Sequence, residues 1–417
     1  MSWEKIKFKD LYSITSRNGL TKPSRIRGRG HKFINMGELF GNDRIKNPKM
    51  ELVPLSEKEK TTHKIAFNDL LFARQSLIFS GAGKCSIVKE VDDLTVYDSH
   101  IIRVRLKDCL CSPDFYYYYF KTPLCDIKSI VQQGVQAGIR GSDLAKLNVD
   151  FPPLPTQQKI ASILGAYDDL IENNLKRIQL LEEAAQNLYK EWFVNFRFPG
   201  HENHPINEET GLPEGWERQK LGDLCELIHG YSFKAKEFSN TKEKYLVIRM
   251  GNFKENGGLQ LNKNLRYLKS KGNLKDKYIL KSGDLVMVLS DVTRDGRIIG
   301  NVGFIPDDNR IYLLNQRVAK IKINEELKHI IYSDLNSIRF KDYCKPRANG
   351  ATVLNLKTKD ILDYKILIPN KNIKSHFTKL VSRYITNIEN LIKQNQQLQE
   401  ARDLLLPRLM NQEIEVG

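Results

Sequence analysis

No run in this 417-residue chain approaches the roughly 18–20 consecutive apolar residues that a membrane-spanning helix needs. Cysteine is scarce. The six (Cys85, Cys109, Cys111, Cys125, Cys225 and Cys344) include no CxxC pair, and the one-residue gap between Cys109 and Cys111 suits neither a zinc ribbon nor a redox motif. All six are expected to be reduced, mostly buried thiols, with no metal held through them. The opening MSWEKIKFKD lacks the apolar stretch of a signal peptide, so a cytoplasmic protein is expected, with no membrane partner. Acidic residues are too few to balance the basic ones: 50 Asp and Glu face 66 Lys and Arg, for a net charge of +16 and a pI near 9.3. Such an excess favours a polyanionic partner, nucleic acid above all. With 41% hydrophobic and 28% charged residues, the chain has the composition of ordinary globular domains and the length for two or three of them.

Catalytic motifs are missing as well, although several strings imitate them. Gly81-Ala82-Gly83-Lys84 resembles a phosphate loop, but Ile78 stands at the required earlier glycine and Cys85 replaces Ser or Thr; a turn between strands is expected. His201-Glu202-Asn203-His204 is one residue short of HExxH and lies in a Pro-rich stretch. Pro113-Asp114 with Asp126-Ile127-Lys128 mimics a nuclease set, yet Ser112-Pro113-Asp114 reads as a helix start and the corresponding later helices carry no such set. There is no Asn/Asp-Pro-Pro-Tyr/Phe string of the kind amino-methyltransferases use. No catalytic residue and no metal site is assigned.

What the chain does have is an internal repeat. Trp3-Glu4-Lys5 leading to Lys9-Asp10-Leu11 answers to Trp216-Glu217-Arg218 leading to Gly222-Asp223-Leu224. Ile34-Asn35-Met36-Gly37 answers to Ile248-Arg249-Met250-Gly251, and Asn68-Asp69-Leu70-Leu71 to Gly283-Asp284-Leu285-Val286. Asp143-Leu144 before Phe151-Pro152 answers to Asp360-Ile361 before Ile368-Pro369. The offset grows slowly, from about 213 to about 217 residues, as small loop insertions would make it. Each copy has a globular part and a helical tail. Asp69–Arg74, Val96–Leu106, Asp284–Leu289 and Val318–Ile323 read as strands, and Ser112 and Asn324 as helix caps, so each globular part is expected to be α+β.

The tails carry a seam. Ile160, Leu164, Tyr167, Ile171, Asn174, Ile178, Leu181, Ala185, Leu188 and Trp192 are spaced by alternating fours and threes. So are Phe377, Val381, Tyr384, Ile388, Leu391, Asn395, Leu398, Arg402, Leu405 and Leu409. That is the 3.5-residue period of a coiled coil, and about 34 helical residues would span roughly 50 Å. The order globule, helix, globule, helix lets the two helices pair antiparallel, with Asn174 and Asn395 as register-setting polar positions. The expected fold is therefore α+β: two similar globular domains separated by a long antiparallel helical pair, related by a pseudo-twofold.

Two similar basic domains at a fixed separation suit duplex DNA, whose grooves recur every helical turn. Residues 21–32, TKPSRIRGRGHK, place Lys22, Arg25, Arg27, Arg29 and Lys32 in one acid-free stretch, with Arg17 shortly before it. Arginine can contact phosphates or fork to guanine. Gln136 and Arg140 in QQGVQAGIRG correspond roughly to Arg347, Asn349 and Thr352 in KPRANGATVLNL; both are polar, Gly-rich and candidates to face DNA. Tyr231, Lys234, Lys236, Arg294 and Arg297 complete the candidate set in the second copy. Tyr116-Tyr117-Tyr118-Tyr119-Phe120 points all ways around a helix and is read as core rather than as a stacking platform.

Phe151-Pro152-Pro153-Leu154-Pro155-Thr156-Gln157-Gln158-Lys159-Ile160 leading into a long helix, and Leu212-Pro213-Glu214-Gly215-Trp216-Glu217 with Leu221-Gly222-Asp223-Leu224, give the chain a further likeness. It resembles the specificity (S) subunit of type I restriction–modification systems over essentially its whole length. The resemblance implies two target-recognition domains, each reading half of a bipartite, asymmetric site, and a helix pair that holds two methyltransferase (M) subunits, with restriction (R) subunits joining. It implies that this chain is non-catalytic and binds no cofactor, S-adenosylmethionine, ATP and Mg²⁺ belonging to the partner subunits. On this reading residues 1–155 form the first recognition domain, 156–196 the central spacer helix, 197–215 a linker, 216–369 the second recognition domain and 370–413 the C-terminal spacer helix. The second copy departs from the pattern, with Ile368-Pro369-Asn370-Lys371-Asn372 in place of the Pro-Pro-Leu and Gln-Gln of the first and Arg317 in place of His100. The alternatives are a specificity subunit of a type II restriction–methylation enzyme, or a coiled-coil scaffold that reads no DNA.

Overall fold

The apolar runs Leu70–Ala73 and Ile101–Leu106 become neighbouring antiparallel strands in a computed structural model that describes residues 3–92, 94–239, 241–261, 264–350 and 352–416. The chain divides into two units, Met1–Glu172 together with Gln396–Gly417, and Asn173–Asn395. The two long helices, Leu154–Tyr189 and Lys371–Met410, therefore each contribute to both units.

In the first unit a five-stranded sheet runs in the order Tyr12–Asn18, Ile101–Leu106, Leu70–Ala73, Cys85–Glu90, Arg44–Lys46. A three-stranded sheet of Glu51–Val53, His31–Ile34 and Thr95–Tyr97 accompanies it. The run expected as one strand over Val96–Leu106 is two, because Asp98 turns the chain. Its carboxylate accepts from the His100 N–H at 2.8 Å, and its carbonyl from the Ile101 N–H at 2.9 Å. Ser112 caps the helix Pro113–Tyr119 by accepting from the Phe115 N–H, with Pro113 in its first turn. Tyr116 to Tyr119 are all buried, as the core reading expects, and pack with Phe8, Phe72 and Phe120. Three of the four hydroxyls find acceptors: Tyr116 donates to the Asp150 carbonyl at 3.0 Å, Tyr118 to Asp168 at 2.6 Å and Tyr119 to the Leu124 carbonyl at 3.1 Å, while the buried Tyr117 hydroxyl has no partner among the described residues.

The PPLPTQQK phrase has a physical job here. Gln157 is fully buried at the start of the helix Leu154–Tyr189; it accepts from the Ser112 N–H at 2.8 Å and donates to the Pro152 carbonyl at 2.7 Å. It thereby ties the long helix to the capped helix of the globular part. Ile160, Ala161 and Leu164 then join Leu406, Leu409 and Met410 in the same core. The odd residue of the seam, Arg402, is explained by its ion pairs with Asp168 and Asp403.

The second unit repeats the strand order, with Cys225–His229, Val318–Ile323, Leu285–Val288 and Val302–Phe304 in one sheet. A second, five-stranded sheet runs Phe238–Ser239, Tyr267–Leu268, Tyr245–Ile248, Ile311–Leu314, Ile279–Leu280. Asn324 caps the helix Glu325–Leu335 by accepting from the Glu326 N–H at 3.0 Å. The stretch read as helix to residue 196 leaves α-geometry at Tyr189 and closes with a π turn over Lys190–Val194. The wider turn lets adjacent Trp192 and Phe193 both reach the core, where Phe193 packs 4.8 Å from Phe377 and 5.2 Å from Trp216 between ring centroids. The stretch read as a linker, 197–215, is itself anchored: Phe198 and Leu212 are buried in that core. In the seam, Asn174 donates to Asn395 at 3.0 Å, both buried, while Tyr189 and Trp192 meet Phe377 and Val381, so the two helices run antiparallel.

Ile171 and Ile178 are buried; Tyr167, Leu181, Leu188, Tyr384, Ile388, Leu398 and Leu405 are half-buried; Leu391 is buried. No helix of the described residues is long and apolar enough to cross a membrane. Cys85, Cys111, Cys125 and Cys344 are buried, Cys225 is partly covered and Cys109 exposed, all as thiols. Burial pushes the Cys225 thiol up to about 11 and those of Cys111 and Cys344 up to about 12, which keeps them protonated and unreactive.

Candidate nucleic-acid interface

Charge in the first unit's basic stretch divides into two kinds once the fold is known. Lys22 is held by Glu59 at 2.9 Å. Arg27 reaches Glu51 at 2.6 Å, Asn35 at 3.2 Å and its own loop at the Lys22 carbonyl, and it lies over Phe33. Those contacts hold the Glu51 carboxyl below its ordinary range, hydrogen bonding from Arg27 being the main cause. Lys32, on the strand His31–Ile34, pairs with Asp92 and donates to Asn47. Arg25 and Arg29 differ. Both are exposed, and neither makes an ion pair among the described residues. The loop is thus a rigid presenter, with Lys22, Arg27 and Lys32 as its internal ties and Arg25 and Arg29 as its outward charges.

A second feature is built the same way in both units. Gln75–Ser76 pairs with Ala137–Gly138, which pairs with Gln132–Gln133, so the exposed Leu77, Ile78 and Phe79 lie beside the loop carrying Val135 and Gln136. In the second unit Ser290–Asp291 pairs with Leu354–Asn355, with the Ser290 hydroxyl 2.6 Å from the Asn355 carboxamide oxygen. This brings the Arg294 loop beside Asn349 and Thr352. Arg294, Asn349 and Thr352 are exposed. Arg297 is tied to Asp295 at 2.8 Å and to Glu255 at 3.5 Å, and Arg347 stacks 3.8 Å from the Tyr343 ring centre. Arg140 is exposed next to the helix Gly141–Lys146.

Tyr231 is exposed and packs edge-on to Phe233, while Lys234 and Lys236 flank it in solvent. Sequence reasoning missed a basic group in this unit: Arg249, Arg266 and Arg317, far apart in the chain. Burial, then the Arg266 and Arg317 charges, push the Arg249 pKa down. It also missed Arg103 and Arg105 in the first unit, although the alternation Ile102, Val104, Leu106 against Arg103, Arg105 is visible in the sequence. No group of three or more His, Cys, Asp or Glu among the described residues is arranged to hold a metal ion.

Comparison with known proteins places this architecture. The type I restriction modification DNA specificity domain matches residues 1–183 and again 213–400, once for each repeat. The MjaIX specificity subunit of a type I restriction enzyme from Methanocaldococcus jannaschii is 28% identical over 322 residues, 73% of this chain and 69% of that protein. The HindI specificity subunit from Haemophilus influenzae is 25% identical over 454 residues, 92% of this chain and 94% of its own. The crystal structure of the type I restriction–modification S subunit from M. genitalium, 13% identical, superposes over 100% of this chain and 97% of that one with a TM-score of 0.54, a likeness of fold. With two copies of the specificity domain covering most of its length, the chain belongs to the type I restriction modification DNA specificity family.

Proposed function

We propose that this chain reads a bipartite, asymmetric duplex site, one half with the loops of each repeat, and carries that site to methyltransferase and restriction subunits. The observation that carries the reading is the loop pair that recurs in both units with different side chains: Leu77, Ile78, Phe79 and Gln136 in one, Arg294, Asn349 and Thr352 in the other. One scaffold with two different sets of presented groups is what an asymmetric target requires. The chain itself performs no chemistry. Methylation with S-adenosylmethionine and ATP- and Mg²⁺-dependent cleavage belong to the M and R subunits.

Residues 1–155 and 216–369 act as the two recognition domains, 156–196 and 370–413 as the spacer helices that set the gap and dock two M subunits, with 197–215 joining the halves. A random-duplex library exposed to the complex isolated from its host, near physiological salt, tests this. Two short fixed motifs around a constant gap are expected. Retention without any motif would reduce the chain to a non-specific basic binder.

Arg25 and Arg29 are the phosphate or base contacts of the basic loop, alongside the candidates Arg17, Gln136, Arg140, Tyr231, Lys234, Lys236, Arg294, Arg297, Arg347, Asn349 and Thr352. Replacing Arg25 and Arg29 with serine is expected to weaken duplex binding and to lower the slope of log affinity against log salt by about 1.8, roughly 0.9 for each phosphate contact. Thermal stability should change by less than about 0.5 kcal/mol, because both side chains are solvent-exposed. An unchanged salt slope would remove the pair from the interface.

A further inference from the structure

Arg103 lies inside the first unit's sheet, 4% exposed, and its Nε is buried with no hydrogen-bond partner among the described residues. Strand alternation sends Ile102, Val104 and Leu106 into the aromatic core and turns Arg103 and Arg105 to the other face. Across the antiparallel ladder Arg103 stands opposite Arg17, with Cβ atoms about 4.5–5.5 Å apart. Like charges so placed repel, and a buried cation lacking a counter-ion is costly.

Among the described residues, the neighbouring carboxylates Asp69, Glu59 and Asp98 each have a partner. Arg105 takes both oxygens of Asp69, at 2.7 and 2.8 Å. Glu59 is held by Lys22, and Asp98 by His100 at 2.6 Å. Neither Arg17 nor Arg103 makes an ion pair among the described residues. Arg17, Arg103, Arg105, Thr62 and Lys64 line one cleft of about 570 Å³. The positive field there is felt by His63, whose pKa is lowered by burial and then by Arg17, with Arg103 and Lys22 adding to the effect against Glu59.

The second repeat shows that the fold does not need this excess. Lys320 holds the register position of Arg103, opposite Ile228 instead of Arg17, and its ammonium is 2.7 Å from Asp284, the counterpart of Asp69. The uncompensated pair is specific to the first unit.

We propose that this cleft binds a phosphate oxyanion between Arg17 and Arg103, with Lys64 at its rim, and that the oxyanion is a backbone phosphodiester of the bound duplex. The choice of source rests on the DNA-recognition reading above. Guanidinium forks match the oxygens of a phosphate in geometry and charge, and such an anion would supply the counter-charge the site lacks.

The test uses the full chain and two variants, Arg17→Ile and Arg103→Met. Inorganic phosphate is titrated at constant ionic strength, with binding followed by the arginine Nε–Hε resonances. Duplex binding is measured across salt with the M subunits present. Phosphate is expected to shift the Arg103 resonance, and each variant to bind phosphate at least 10-fold more weakly, with the duplex salt slope falling by about 0.9 in each. Thermal stability without anion should hold or rise in both variants, since each removes a repelling charge; a fall would mark the pair as structural and count against the site. If phosphate binding is lost but the duplex slope is unchanged, the cleft takes a free phosphate and the duplex source is overturned. If phosphate shifts nothing and both variants bind duplex as the parent does, the proposal fails while the DNA reading stands. A parent complex that binds no duplex would instead defeat that reading, leaving the phosphate titration to decide the cleft.

Discussion

One heptad added to each long helix, after Leu181 and before Ile388, is expected to change the gap in the selected DNA site and leave both half-site motifs as they were. The insertion points face each other by equal steps from the Asn174–Asn395 hydrogen bond. Seven residues preserve the 3.5-residue period, so the seam re-forms while each helix lengthens by about 10.5 Å. That is about three base-pair steps, and three steps also turn the duplex by roughly 100°, so the winning gap is set by rise and twist together. Affinity for the original spacing should fall at least 100-fold, because one half-site moves out of reach of its loops and each lost base contact costs about 1–3 kcal/mol. Library selection with the lengthened chain reads the result directly. Retention of the original gap at undiminished affinity would show that the helices do not set it.

Asp334→Ala should produce the largest loss of stability. Asp334 is fully buried and accepts from the hydroxyls of Tyr189 and Tyr364, each at 2.6 Å, and from Arg339 at 2.8 Å. Burial raises its pKa, opposed chiefly by the Arg339 charge and the two hydroxyls. Removing the carboxylate leaves the hydroxyls of Tyr189 and Tyr364 without their acceptor and the Arg339 guanidinium, still bonded to the Tyr364 hydroxyl and the Lys365 carbonyl, without its counter-charge. Breaking a buried ion pair from one side costs about 3–5 kcal/mol. The Arg339 side chain keeps 37% of its surface exposed, which places the expected loss near the lower end. In a unit of this size the transition should fall by about 6–12 °C in a calorimetric scan. Asp334→Leu combined with Arg339→Met should recover much of the loss, since an apolar pair leaves no charge stranded. A scan of Asp334→Ala within about 1 °C of the parent would show that the network contributes little.

Local rules made much of the architecture legible. The heptads marked both long helices, Ser112 and Asn324 marked helix starts, and four consecutive tyrosines on one helix read as packing rather than as a stacking platform. The repeat followed from spaced phrases such as Trp3-Glu4-Lys5 and Trp216-Glu217-Arg218. Where the chain bends was harder to read. The turn at Asp98 depends on a side-chain hydrogen bond, and the π turn at Lys190–Val194 on the core that receives Trp192 and Phe193.

The site was legible as a charge excess but not as a set of available charges. TKPSRIRGRGHK is acid-free in sequence, yet Lys22, Arg27 and Lys32 are neutralised by Glu59, Glu51 and Asp92. The isolated strand residue Arg103, by contrast, stands opposite Arg17 with no acid to spare. Repeat, heptads, caps and net charge are set by residue types and their spacing along the chain, so a basic, twice-repeated protein with two long helices can be read without the fold. Ion-pair choice and strand register are settled between residues tens of positions apart, so it takes the folded chain to show which of those cations remain for an outside anion.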